Sequence, residues 1–195
     1  MEQKLKQHFE KTQFITTKAL EELGYNRMQI KRLVADGVLE KVARGVYMEA
    51  GELIETVALA QAVYPQGVVS HRTALYMHDL VDEIPQKIHM TFVRGTHFSN
   101  QEKLKEYIIP HYQERRLFEI GVETKESLWG NSIRVYSPER ALIDVWRIQE
   151  DPAVQIEALH EYYNSDDYNL GRLSLMMADF SRTKKLSNAL VVLIN

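Results

Sequence analysis

A chain of 195 residues without a single cysteine can bury a core unaided, and it excludes a disulfide scaffold, a thiolate zinc site and a cysteine nucleophile. Its formal net charge of −3 argues against a cationic coat for sequence-blind nucleic-acid binding. The charge is uneven: residues 1–50 carry 9 Lys and Arg against 7 Asp and Glu, and the remainder carries 15 against 20, a small difference that raises the question of which part would meet a polyanion.

Residues 2–12 place Leu5, His8 and Phe9 at helical spacing among charges, which predicts an amphipathic helix. Phe14-Ile15 interrupts the pattern. Thr16 or Thr17 is a suitable cap for a second helix to Leu23, with Ala19, Leu20 and Leu23 inward and Gly24 as its stop. Asn26 caps a third helix, Arg27 to Asp36, ended by Gly37. Ile30, Leu33 and Val34 form its inner side. Its outer side offers Met28, Lys31, Arg32 and Ala35, flanked by Arg27 and Gln29, with no carboxylate before Asp36. Such a helix suits the phosphate-walled major groove. Residues 38–48 then read as two short strands around an Ala43-Arg44-Gly45 turn. Three helices followed by a cation-tipped ribbon predict a winged helix-turn-helix over residues 1–50, with Lys41 and Arg44 reaching flanking phosphate or the minor groove.

Residues 51–195 read as a larger α+β domain, a central sheet flanked by helices. A helix is expected over 52–64 with Leu53, Val57, Ala60 and Val63 inward, and a short one follows Ser70. Strands are expected from Ile88 to Val93, Tyr107 to Tyr112, Gly121 to Glu126 and Ser132 to Tyr136. Ser137-Pro138-Glu139 starts a helix with Ala141, Leu142, Val145 and Trp146 inward. Helical stretches close the chain at about 152–163, 169–180 and 184–194. No apolar run approaches the roughly 18 residues of a membrane span. The N-terminal MEQKLKQHFEKTQF has no apolar signal-peptide stretch, and NALVVLIN is too short for an anchor. A cytoplasmic protein is expected, with no membrane partner.

The basic segment 1–48, VVSHRTALYMHDL at 68–80 with EIPQKIHMTFVRG at 83–95, and YSPERALIDVWR at 136–147 together resemble the AbiE-type antitoxins. These are transcription-regulating partners in type IV toxin–antitoxin systems tied to abortive phage infection. The resemblance runs through nearly the whole chain and is least distinct over the last fifty residues. It implies a winged helix that represses the protein's own operon by binding double-stranded operator DNA, with inverted repeats expected. It also implies an antitoxin domain that counters a nucleotidyltransferase-like toxin without a stable complex.

A search for chemistry yields little that competes. His71 and His78 are seven residues apart, too far for a helical metal pair, which is normally spaced three or four. His89, His97 and His111 fall in strand or loop without clustered carboxylates, so the histidines are read as surface or hydrogen-bonded groups and no metal is expected. Glu123-Thr124-Lys125 puts a carboxylate and a lysine on one strand face, and Asp79 or Asp82 would complete a magnesium-dependent nuclease. A protein- or RNA-binding module with an incidental winged helix is the other alternative. Ser70-His71 is not a catalytic pair, and no phosphate-cradling glycine loop supports a nucleotide cofactor. No cofactor and no catalytic residue are expected. Gln113-Glu114-Arg115-Arg116 and Lys184-Lys185 are basic spots in the acidic part, where a second phosphate contact is conceivable. The DNA-binding set is Arg27, Met28, Gln29, Lys31, Arg32, Lys41 and Arg44.

Overall fold

The structure, a computed structural model, describes residues 3–97, 106–127, 129–148, 150–166 and 168–194. Its elements are α1 (Gln3–Phe9), β1 (Phe14–Thr16), α2 (Thr17–Glu22), α3 (Arg27–Ala35), β2 (Leu39–Ala43), β3 (Val46–Glu49), α4 (Thr56–Val63), β4 (Val68–Val69), α5 (His71–Met77), β5 (Ile88–Val93), β6 (Ile108–Gln113), α6 (Arg115–Phe118), β7 (Val122–Glu126), β8 (Ser132–Tyr136), α7 (Pro138–Arg147), α8 (Pro152–Asn164), α9 (Leu170–Met177) and α10 (Lys184–Ile194). The fold is mixed α+β. It divides into two compact units. One contains Met1–Gln66 and Thr124–Ile133; the other contains Gly67–His97, Glu106–Glu123 and Arg134–Asn195. Among the described residues no helix is long and apolar enough to cross a membrane.

In the first unit the apolar faces of α1, α2 and α3 close over one core of Leu5, Ile15, Leu20, Tyr25, Ile30 and Leu39. Leu33 and Val34 pack at its edge, only partly buried. Phe14-Ile15, where helical periodicity lapses, forms β1. It pairs antiparallel with β3, Ile15 opposite Tyr47, giving a three-stranded sheet ordered β1-β3-β2. Three residues are too few to show a strand period, which hides β1 from the sequence.

Helix α4 begins at Thr56, four residues later than expected, and Leu53 is 75% exposed rather than inward. The Gln13 side chain accounts for the delay. Its Nε2 donates to the Leu53 carbonyl and its Oε1 accepts from the Glu55 N–H at 3.0 Å. Side-chain bonds of this kind offer the backbone an alternative to the helix. The Glu55 carboxylate then accepts from Ser127 Oγ at 2.6 Å and Asn131 Nδ2 at 2.7 Å. Asn131 Oδ1 accepts from Thr12 Oγ1 at 3.0 Å and the Gln13 N–H at 2.8 Å. This network draws α4 and residues 124–133 into the first unit, so its boundary falls at Gln66 rather than near residue 50.

The second unit carries most of a five-stranded sheet ordered β6-β5-β4-β8-β7. β5 lies between β4, antiparallel to it, and β6, parallel to it; being central, it is buried on nearly every residue. The two-residue β4 was not expected. It joins β8 in parallel, Val69 opposite Val135. Helix α7 starts where Ser137 Oγ accepts from the Arg140 N–H at 3.4 Å, with Pro138 in its first turn. It packs against α5, α8, α9 and α10, and so is buried from Pro138 to Val145, Glu139, Arg140 and Asp144 included. Trp146, expected inward, is only partly buried.

Buried charge needs partners. Arg140 Nε donates to Asp144 at 3.0 Å, and its Nη1 donates to the carbonyls of Leu117 at 2.6 Å and Ile120 at 2.8 Å. Its Nη2 has no acceptor among the described residues. The guanidinium instead lies over the rings of Tyr136 at 4.1 Å and Phe180 at 4.4 Å, where a cation is attracted to the ring face. Gly121 permits this close approach: its φ is +76°, and an added Cβ would lie 2.8 Å from Arg140 Cβ. Arg140→Leu would leave Asp144 with only its 3.4 Å pair to Arg147 and strand the carbonyls of Leu117 and Ile120. It is expected to destabilise the protein by about 3–5 kcal/mol in urea unfolding. Gly121→Val is expected to be destabilising as well, since its backbone is left-handed and its Cβ would clash.

Candidate nucleic-acid interface and a cluster of histidines

Asn26 begins α3 with a reciprocal cap. Its side chain accepts from the Met28 N–H at 2.9 Å and the Gln29 N–H at 3.0 Å, while Gln29 Oε1 accepts from the Asn26 N–H at 2.8 Å. Three of the otherwise orphaned amide groups at the helix start are thus satisfied. Only Ile30 of α3 is fully buried. Met28, 81% exposed, stands on the outer face with Arg27, Gln29, Lys31 and Arg32. The β2–β3 turn is held to the start of α2, because the Thr17 N–H donates to the Gly45 carbonyl at 2.8 Å. Gly45 has φ of +74°, and Arg44 beside it is exposed.

Helix and turn enclose an open groove of about 440 Å³, lined on the helix side by Arg27, Lys31 and Val34 and on the hairpin side by Lys41, Arg44 and Tyr47. The structure therefore brings together four of the seven residues singled out from the sequence. The other three lie outside the groove lining. Gln29 has its acceptor oxygen committed to the cap. Arg32 lies 3.5 Å from Asp36, and Met28 projects to solvent. Within the groove, Arg27 has a 3.9 Å ion pair with Glu21. Both ion pairs are exposed, so each is worth little and yields readily to a competing anion.

Residues 3–50 match the family model described as "Transcriptional regulator, AbiEi antitoxin". Over those residues the chain is similar to the AbiEi antitoxin regulators. No curated protein sequence matches it. Among solved structures it is similar to the RV2827C protein from Mycobacterium tuberculosis, with a TM-score of 0.56 and 14% identity over 86% of this chain and 67% of that one. At that identity the likeness is one of fold.

The carboxylates a magnesium nuclease needs are not gathered. Glu123 accepts from Arg172 Nη2 at 2.5 Å, and Arg172 Nε also lies 3.4 Å from Glu139. Among the described residues no cluster of three metal-ligating side chains includes Glu123, Asp79 or Asp82. In the basic spot at 113–116, Arg116 lies 2.7 Å from Asp179, and Glu114 lies 3.7 Å from Arg94. Lys184 and Lys185 line a separate hollow with Arg147 and Arg182.

One gathering of titratable rings carries no local mark in the sequence. His71 opens α5, His89 is on β5 and His111 on β6. A ligating nitrogen from each lies within 4.8 Å of the others. His89 Nδ1 and His111 Nε2 share a hydrogen bond of 3.0 Å, and the His71 ring stacks on His111 at 3.6 Å. Burial holds all three rings below the usual histidine range, His111 down to about 3, and neighbouring histidines add to the effect at His71 and His111. His78, expected to share a face with His71, instead bonds the Tyr136 carbonyl through Nε2 at 2.9 Å.

Loss of the α3 cap has a defined consequence. Asn26→Ala is expected to cost about 1 kcal/mol of stability. Hydrogen exchange should show the first turn of α3 opening more readily than α2.

Proposed function

We propose that this protein is a DNA-binding autorepressor that serves as the antitoxin of a type IV toxin–antitoxin pair. The observation that supports this most is the grouping of Arg27, Lys31, Lys41 and Arg44 around one groove between a capped, outward-facing helix and a hairpin turn. The order α1-β1-α2-α3-β2-β3 fits a winged helix-turn-helix, in which α3 enters the major groove of an operator and the β2–β3 hairpin lies along the adjacent backbone. Lys31 and Arg27 then face base edges and the nearest phosphates. Arg32, Gln29 and Met28 lie on the flank of the same helix, and Lys41 and Arg44 grip phosphate. The DNA partner is double-stranded, with inverted repeats upstream of the protein's own operon. The second unit carries the antitoxin activity, countering a nucleotidyltransferase-like toxin without a stable complex and without catalysis, in the cytoplasm.

Fluorescence anisotropy with the DNA upstream of the gene tests the interface. Lys41→Ala is expected to weaken binding to all sequences alike and to lower the slope of log K against log salt by about one. Lys31→Ala is expected to cost about 1–3 kcal/mol on the operator if it reads a base, and less on unrelated DNA. Unchanged operator affinity in an Arg27→Ala, Lys31→Ala double variant at physiological salt would overturn the assignment of α3. The same double variant is expected to relieve repression of a reporter while still rescuing growth from the toxin, because the two activities are assigned to different units.

A further inference from the structure

We propose that His71, His89 and His111 form a binding site for a single zinc ion, with the fourth position of the tetrahedron left to water. The three nitrogens already lie within 4.8 Å of one another. Tetrahedral zinc–imidazole bonds of about 2.0–2.1 Å require donors about 3.3 Å apart, so each nitrogen need move by no more than about 1 Å. Loading requires the His71 ring to turn out of its stack on His111 and the proton shared by His89 and His111 to leave. The donor set is all imidazole, which suits zinc and its neighbours in the first transition row and does not suit magnesium or calcium. The geometry differs from a helical metal motif because each ligand comes from a different element.

Three features favour a ligand site over a simple stack of hydrogen-bonded rings. The first is the support behind His71. Its Nδ1 lies 2.9 Å from Ser70 Oγ, and Thr91 Oγ1 donates to that same oxygen at 2.9 Å. In the tautomer that donates Nδ1–H to Ser70, the Nε2 lone pair is left for a metal, the usual arrangement behind a ligating histidine. The second is backbone strain: His71 has φ of +51°, a conformation costing a non-glycine residue roughly 1–2 kcal/mol and found disproportionately at functional sites. The third is access. His89 lines an open hollow with Arg72, Glu83, Lys87 and Glu150, and His111 is only partly buried, so an ion and its water have a route in. Burial keeps the rings neutral, the state in which imidazole binds metal. Of the nearby charges, Arg140 and Arg147 both pair with Asp144, and Glu150 acts on His89 in the direction that favours a cation.

The test uses the full chain, stripped with a chelator and dialysed. Titration with zinc chloride against a chromophoric chelator is expected to give one saturable equivalent per chain and a rise in Tm on loading. Cobalt in its place is expected to give the intense visible bands of a tetrahedral site. His89→Gln and His111→Gln should each weaken zinc binding by more than about 100-fold, and Ser70→Ala by about 10–100-fold. His160→Gln, at an exposed position, should leave it unchanged. Absence of saturable binding, or binding equal to wild type in both His89→Gln and His111→Gln, overturns the proposal. Should those variants fail to fold, ring ¹⁵N shifts of the wild-type protein decide. Zinc-dependent changes at His71, His89 and His111 support the site, and changes confined to His8, His78, His97 or His160 refute it.

Discussion

The Arg140 guanidinium is fully buried, and the second unit is arranged around keeping it satisfied. A charge in that position costs several kcal/mol in lost hydration. Asp144 one turn along the same helix, two carbonyls from the 117–120 segment and two aromatic rings repay that cost. Each partner comes from a different stretch of chain, so the ion ties α6, the end of β8, the segment after α9 and helix α7 to one point. Burial raises the Asp144 carboxyl while Arg140 pulls it down. Glu139, next in sequence, is equally enclosed: it accepts from Ser137 Oγ at 2.7 Å and Tyr162 Oη at 3.1 Å and lies 3.4 Å from Arg172. Buried hydrogen-bonded charge is poor glue in net energy, but it penalises every misregistered packing of α7 heavily.

The first unit uses polar groups differently. Its main core cluster is Leu5, Ile15, Leu20, Tyr25, Ile30 and Leu39. Its polar network around Glu55 and Asn131 joins segments far apart in the chain, leaving α3 and the hairpin to project. Among the described residues the cations there have no buried partner. The net negative charge of the chain is compatible with such a local group, which exerts no general attraction on polyanions.

Much of this was legible beforehand where the determinants are local. The caps at Thr16, Asn26 and Ser137, the stops at Gly24 and Gly37, strand β5 and the start of α7 follow from side chains within three or four residues of the feature. The outward face of α3, with Arg27 and Lys31, follows from helical periodicity, and Lys41 and Arg44 follow from the two short strands and the turn between them. Failures occurred where a distant residue intervened. Gln13 delays α4, β1 exists only because β3 is there to pair with it, and Trp146 is less buried than its spacing implies. The inward set read from helical spacing, Ala141, Leu142, Val145 and Trp146, leaves out the buried Arg140 and Asp144. Helix α7 is enclosed on nearly all sides, so the polar face is buried too.

The sequence by itself determined the mixed α+β class, the placement of most helices and the one stretch suited to a polyanion, because propensity, capping and amphipathic period act over a single turn or two. The tertiary structure alone decided which groups meet. His89 and His111 become diagonal neighbours because β5 and β6 pair in a register that sets Thr91 opposite His111. His71 joins them only because β4 delivers α5 beside β5. Strand register and the packing of helices on a sheet are set by the whole core at once, so a cluster of rings separated by 18 and 22 residues along the chain leaves no local trace.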